Sequence, residues 1–191
     1  MRCFIAINIG DEVKKAMGDL QKQLQHQGHE RKIRKGDVKW VSPDNIHLTL
    51  KFLGEVRDNV VPEICNIVKK VAAKYKKFNL DFAGAGHFGG RIARVLWVSS
   101  GEGANELEQM QNELEEELAD AGWSKEARKF SAHLTLCRIK NSKAGIELAE
   151  IIKEYGEYKV GMTEVGSITV YQSRLTPSGP IYTVLGNYKL K

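Results

Sequence analysis

The sequence has little of several features that would define other classes of protein. Its three cysteines, Cys3, Cys65 and Cys137, are too few and too widely spaced for a disulfide framework or a C-x-x-C metal or redox site. No apolar run approaches the roughly 18 residues of a membrane span, and the apolar stretch at the start is too short for a signal peptide. We therefore expect a soluble cytoplasmic protein without membrane contact.

The sequence also lacks a large excess of charge of one sign. Lys and Arg outnumber Asp and Glu by 29 to 24, which gives a formal net charge of +5. Hydrophobic residues make up 42% and charged residues 28% of the 191 positions, as in an ordinary globular protein with a real core. Polyanions are plausible partners, but so small an excess does not establish nucleic-acid binding.

Apolar periodicity predicts strands and helices along the whole chain. "RCFIAINI" reads as a buried strand, and the helix after Gly10-Asp11 ends in the basic loop "HQGHERKIRKGD". Further helices are predicted at about 60–75, 104–121 and 146–155, and further strands at "VKWV", "NIHLTLKFLG", "FNLDF", "RVLWVSS", the second "HLTL", 164–173 and 181–190. "AGAGHFGGR" reads as a glycine-rich connection.

The order of these elements predicts an α+β fold. Pairs of strands alternate with single helices, which favours mainly antiparallel sheets over a parallel βαβ winding. No linker or low-complexity segment divides the chain, and each half contains a helix, a strand bearing "HLTL" and another helix. We expect a single domain, 1–191, made of two pseudo-symmetric lobes.

The repeated "HLTL" is the most informative feature of the chain. Because side chains alternate along a strand, His47, Thr49 and Lys51 share one face of the first copy. By the same rule, His133 and Thr135 share a face with Cys137, opposite the leucines and Arg138. Each motif therefore presents a polar pair from a rigid strand.

Two such strands side by side would bring two imidazoles and two hydroxyls into one cleft. That set suits phosphodiester chemistry, because a pKa near 6.5 lets one histidine accept a proton and the other donate one at neutral pH. The threonine hydroxyls can donate hydrogen bonds to phosphate oxygens as charge develops. The scheme needs no metal and no cofactor.

Other interpretations of the motif remain open at this point. Each histidine could be a satisfied residue on an ordinary strand, although two copies make a coincidence less plausible than one. A zinc site needs more ligands than one histidine and one threonine per motif, with no carboxylate or thiolate at ligand spacing. His26 and His29 fall in the basic loop, and His87 lies among glycines, where a structural role is favoured.

In its motifs the sequence resembles the 2H phosphoesterases, and among them the RNA 2′,3′-cyclic phosphodiesterases, also called 2′-5′ RNA ligases. The resemblance covers essentially the whole chain and rests on the segments "RCFIAI", "WVSPDNIHLTLKFLGEV", "RVLWV", "FSAHLTLCR" and "SRLTPSGPIYTVL". It implies a LigT-like fold of two lobes with outer helices around a central cleft, and one HxTx motif from each lobe.

The resemblance also implies an activity and a role for each residue of the motifs. The reaction would be hydrolysis of an RNA 2′,3′-cyclic phosphate to a 2′-phosphate. His47 would donate a proton to the leaving 3′ oxygen, His133 would activate water, and Thr49 and Thr135 would hold the phosphate. Ligation would use a 5′-hydroxyl in place of water, and the chain has neither a G-x-x-x-x-G-K-[ST] nor a K-x-D-G motif for nucleotide-dependent chemistry.

Residues outside the paired motifs are candidates for contacting the rest of the RNA. Lys51, Arg138 and the basic run 31–39 would meet phosphates. Arg138 is ranked below Lys51 because a regular strand points it away from the cleft, so that it would either support the fold or act through a bulge. The aromatic residues that could stack on bases are Trp40, Phe88, Trp97 and Tyr182, although core packing is favoured for the two tryptophans.

The partner that we expect is an RNA end bearing a 2′,3′-cyclic phosphate, for which tRNA fragments are one source, and the protein itself is expected to be a monomer. Relatives often carry a Phe-Pro step where this chain has Phe88-Gly89-Gly90, which puts the shape of that loop in doubt. Two other functions remain: a non-catalytic module that binds single-stranded RNA or nucleotides, and a metal-dependent hydrolase.

Overall fold

The structure is a computed structural model that describes residues 1–177 and 179–191. Its strands and α-helices follow in the order β1 (Arg2–Asn8), α1 (Asp11–Glu30), β2 (Val38–Trp40), β3 (His47–Glu55), α2 (Val61–Ala72), β4 (Phe78–Phe88), β5 (Val95–Ser100), α3 (Ala104–Asp120), β6 (His133–Ile139), α4 (Ser142–Ile151), β7 (Lys159–Val165), β8 (Ser167–Thr176) and β9 (Gly179–Lys189). Short 3-10 turns precede β2, β3 and α2 and follow α4.

The strands form two antiparallel sheets, which confirms the α+β class. One sheet has the order β3-β1-β8-β9 and the other the order β2-β6-β5-β4-β7. Each "HLTL" strand lies in a different sheet, and β3 contacts β6. Each sheet also contains strands from both halves of the chain, so the two sequence halves do not correspond to the two sheets.

The helices cross from one sheet to the other. Helix α1 follows β1 of the four-stranded sheet but packs on β7 and α4 beside the five-stranded sheet. Its buried stripe contains Val13, Met17, Leu20 and Leu24, the residues whose spacing predicts an amphipathic helix. Helix α3 follows β5 of the five-stranded sheet and packs on β3 and α2, as well as on β4. The two crossings join the sheets through one continuous core.

Two boundaries differ from the sequence prediction. Helix α1 continues to Glu30, so His26 and His29 are exposed residues of a helix and not of a loop. Strand β4 continues through the glycine-rich segment as far as Phe88, because Gly86 leaves room for the Trp97 ring, which would lie 2.6 Å from a Cβ at that position. Strand β7 was not predicted.

Candidate active site

Each "HLTL" strand contains a β-bulge at its second leucine. In β3, Thr49 pairs with Ala6 and Lys51 with the adjacent Ile5, so Leu50 is the extra residue. In β6, Thr135 pairs with Trp97 and Cys137 with Leu96, so Leu136 is the extra residue. A bulge reverses the alternation of side chains beyond it. The sequence prediction of a regular strand is therefore wrong after the second leucine of both motifs.

The first bulge turns Lys51 away from the cleft. Its side chain is only 3% exposed, and its ammonium donates to Glu115 at 2.6 Å and to the carbonyl of Ser124 at 2.8 Å. Phe52 takes the cleft face instead, where it is 59% exposed and its ring contacts that of Phe4. This placement argues against the prediction that Lys51 contacts RNA phosphates, since its ammonium is buried in an internal ion pair.

The second bulge turns a cationic side chain, that of Arg138, outward, whereas the first bulge buries that of Lys51. Cys137, which alternation predicts beside His133, is fully buried, and burial raises the pKa of its thiol to about 12. Arg138 is turned outward and exposed, and its charge acts on both His133 and Tyr182. The second bulge therefore leaves Arg138 exposed on the strand of His133, whereas the first bulge buries Lys51. Regular alternation predicts the opposite for both cations.

Each of the two candidate catalytic histidines makes the same type of hydrogen bond to the backbone. The Nδ1 atom of His47 lies 2.8 Å from the carbonyl oxygen of Asn45, and that of His133 lies 2.6 Å from the carbonyl oxygen of Ser131. Because a carbonyl only accepts, Nδ1 must carry the proton in both rings. Nε2 is then the atom that takes up or gives a proton, and no described residue bonds to it.

The surroundings of His47 are aromatic. Its ring stacks on Phe4 with centroids 4.8 Å apart, and the edge of Tyr182 approaches it at 5.3 Å. Burial lowers the pKa of His47, against the hydrogen bond to Asn45, and the charge of Lys14 lowers it further. Lys14 lies in the first turns of α1, and no sequence signal marked it as a neighbour of the site.

The surroundings of His133 are more polar. One ring, Phe88, meets it edge to face with centroids 5.1 Å apart. Burial lowers the pKa of His133 as well, the hydrogen bond to Ser131 opposes this, and the positive charge of Arg138 adds to the lowering. The two histidines therefore share their tautomer but differ in their electrostatic neighbours.

The structure places some of the remaining predicted residues beside the two histidines and others away from them. Thr49 and Thr135 are half-buried on the same faces as their histidines. The ring of Tyr182 contacts that of His47; burial raises the pKa of its hydroxyl, and the charge of Arg138 acts against this. Trp40 packs against the core, as favoured from the sequence. His87 lies outside this cluster.

The described residues contain neither a metal-binding cluster nor a membrane-spanning helix. Within residues 1–177 and 179–191, no group of three or more His, Cys, Asp or Glu side chains is arranged to hold a metal ion. Over the same residues, no helix is both long and apolar enough to cross a membrane.

The comparisons with known proteins show the family of the chain. The family model described as "LigT like Phosphoesterase" matches residues 11–97 and again 98–182. The RNA 2′,3′-cyclic phosphodiesterase of Aeropyrum pernix is 38% identical over 81% of this chain and 86% of its own length. That of Methanothermobacter thermautotrophicus is 32% identical over 100% of this chain and 99% of its own length.

Solved structures share the fold. Escherichia coli LigT complexed with 3′-AMP has a TM-score of 0.78 at 24% identity, covering 100% of this chain and 98% of LigT. TT0787 of Thermus thermophilus has a TM-score of 0.67 at 29% identity, with the same coverage. Two histidine motifs from two antiparallel sheets thus define the class of two-histidine phosphoesterases. Within that class, the chain belongs to the LigT-like phosphoesterase family.

Proposed function

We propose that the protein hydrolyses the 2′,3′-cyclic phosphate end of RNA to a 2′-phosphate without a metal ion. The observation that carries the proposal is the matched pair of histidines, each with Nδ1 held by the carbonyl two residues before it and Nε2 without a described protein partner. The curated relatives named RNA 2′,3′-cyclic phosphodiesterase supply the substrate class.

In the proposed mechanism, His133 acts as the base and His47 as the acid. Nε2 of His133 takes a proton from water, the water oxygen bonds to phosphorus, and the bond from phosphorus to the 3′ oxygen breaks. Nε2 of His47 gives its proton to that oxygen. Hydrogen bonds from Thr49 and Thr135 to the non-bridging oxygens would stabilise the charge that develops in the transition state.

The electrostatic neighbours support this division of roles. The face of Phe4 favours a cationic imidazole at His47, as a proton donor requires, and so acts against burial and the charge of Lys14, which lower the pKa of that ring. The positive charge of Arg138 disfavours protonation of His133, as a base requires. A bound phosphodiester adds one negative charge between them and would raise the pKa of both rings toward neutrality.

Arg138 and Lys39 are the cations that we assign to the RNA backbone. They pair in register across β2 and β6, and both are exposed. Lys39 closes the basic run 31–39 that the sequence marked for phosphate contacts. Because such contacts release counterions, affinity for an oligonucleotide should fall as salt rises. Tyr182 and Phe88, beside the two histidines, are the aromatic residues placed to meet a base.

Ligation would be the same chemistry with a 5′-hydroxyl in the position of water, giving a 2′-5′ linkage. The strained cyclic ester would supply the driving force, so no nucleotide cofactor is needed. Action on tRNA fragments, a monomeric state, a single domain over 1–191 and a cytoplasmic location remain predictions from the sequence.

The test is release of 2′-phosphate from an oligonucleotide that ends in a 2′,3′-cyclic phosphate, measured in EDTA. We expect turnover by the unmodified protein and loss of about 10²-fold or more in His47→Ala and in His133→Ala. His29→Ala, an exposed helical histidine, is the matched control and should retain full activity.

The pH dependence of the activity tests the acid and base roles of the two histidines, and the response to EDTA separates the proposal from its alternatives. Because the pKa of each histidine is lowered, we expect kcat/KM to follow a bell whose centre lies below pH 6.5. Tight binding without turnover would favour the non-catalytic RNA-binding module. Loss of activity in EDTA that returns with a divalent metal would favour a metal-dependent hydrolase.

A further inference from the structure

A buried glutamine of α1 contacts the bulge of β6. Gln21 is 4% exposed, and its amide nitrogen donates to the carbonyl of Leu136 at 2.9 Å and to that of Val41 at 2.7 Å. Leu136 is the extra residue of the bulge, and Val41 lies in the segment that leads to the first motif. Both hydrogens of the amide are therefore used on backbone carbonyls of the two segments that bear the motifs.

The other sheet contains a counterpart on α3. Gln111 is also 4% exposed, and its amide nitrogen lies 3.4 Å from the carbonyl of Leu50, the extra residue of the bulge in β3. The same nitrogen lies 3.4 Å from Glu115, the partner of Lys51. Both helices that cross between the sheets therefore carry a glutamine to the bulge of the opposite sheet.

The bulge decides which side chain faces the cleft after each motif. Without it, regular alternation would place Cys137 on the cleft face and turn Arg138 toward the core. A carbonyl oxygen can accept two hydrogen bonds, so a carbonyl at a bulge can bond to a side chain as well as to a neighbouring strand. In β6 that carbonyl accepts from Gln21 and from the backbone N–H of Val41.

We propose that Gln21 is a positioning residue for Arg138: by holding the carbonyl of Leu136 it maintains the bulge that turns the guanidinium toward the phosphate site. Gln21 does not touch the reacting atoms in this proposal. This proposal rests on the proposed function in one respect: its kinetic test measures KM for an oligonucleotide that ends in a cyclic phosphate.

The first readout is kinetic. Gln21→Met keeps the length of the side chain and removes one of the two donors to the carbonyl of Leu136, so the proposal predicts that Arg138 is held less firmly at the phosphate site. We expect KM for the cyclic phosphate oligonucleotide to rise about tenfold, with a smaller change in kcat. In an Arg138→Met background, Gln21→Met should raise KM no further, because it acts through Arg138. Gln23→Leu, an exposed change on the same helix, should leave KM unchanged.

The second readout needs no turnover. The charge of Arg138 lowers the pKa of His133, so the proton resonances of His133, assigned with His133→Ala, should titrate at higher pH in Gln21→Met. The titration of His47 should not move. Gln111→Met is the matched control, with the same burial and a bulge contact, and should leave His133 unchanged because its bulge orients Phe52 and Lys51.

The outcomes are distinct. If Gln21→Met lowers stability but leaves both KM and the His133 titration at wild-type values, the glutamine is structural and the proposal is wrong. If Gln21→Met does not fold, Gln21→Asn, whose shorter amide cannot reach both carbonyls, takes its place with the same expectations. If the unmodified protein shows no turnover, the proposed function fails, while the titrations still decide the role of Gln21.

Discussion

Exchanging Lys51 and Arg138 in turn for methionine tests the description of the two bulges. Lys51 belongs to the fold: its ammonium is buried, and it bonds to Glu115 and to Ser124 at the start of the loop that leads to β6. Arg138 is exposed, and its charge acts on His133. Lys51→Met should therefore lower the free energy of unfolding, and Arg138→Met should weaken substrate binding.

The size of the first effect follows from the contacts that remain. Removing one partner of a buried ion pair costs about 3–5 kcal/mol. Glu115 is 12% exposed and keeps two other contacts, from the backbone N–H of Glu126 and the amide of Gln111, so a value near 3 kcal/mol is expected for Lys51→Met. A loss of that size would be a large part of a typical stability of about 5–15 kcal/mol.

The assay is urea denaturation of both variants, together with KM and its salt dependence. Arg138→Met should stay within about 0.5 kcal/mol of the unmodified protein, raise KM about tenfold and reduce the salt slope by about 1. The double variant Lys51→Met with Glu115→Leu should be more stable than Lys51→Met alone, since no unpaired charge remains buried. A Lys51→Met protein of normal stability with a raised KM would refute the assignment of the bulges.

Three further predictions concern the site and its surroundings. Thr135→Val should lower kcat about tenfold or more with little change in the urea midpoint, because it removes a donor to the phosphate. Burial lowers the pKa of His47 and His133 in the folded state, so the unfolded chain binds protons at these rings first as pH falls. The free energy of unfolding, measured by urea denaturation, should therefore decrease below about pH 6.5, and these two rings should not affect it above that pH. Gly86→Ala should lower the melting temperature, since its Cβ would lie 2.6 Å from the ring of Trp97; an unchanged midpoint would show that this ring moves freely.

The paired motifs and the fold class were accessible from the sequence because they depend on local signals. The spacing of apolar residues located α1 and α3 to within a turn of their observed ends, apart from the extension of α1 to Glu30. The strand that carries His47 and Thr49 was also identified, and alternation holds over those two residues and their leucine neighbours.

What the sequence did not reveal depends on contacts between distant segments. The bulge at Leu136 is recognisable only once the pairing of β6 with β5 and the contact from Gln21 are known. Nothing in the letters "HLTLCR" distinguishes it from a regular strand, so the exposure of Arg138 did not follow from alternation. Lys14 was missed for the same reason, since only packing brings α1 beside His47.

The interleaving of the two sequence halves determines how the protein reaches its folded state. Strands β1 and β3 pair into a sheet that is complete only when β8 and β9, made last, arrive at its other side. A growing chain that has reached residue 100 can close neither sheet, and it leaves the edge of β1 open to other chains. Because both sheets need pairings between segments far apart in the chain, folding should be slow for the length of the chain.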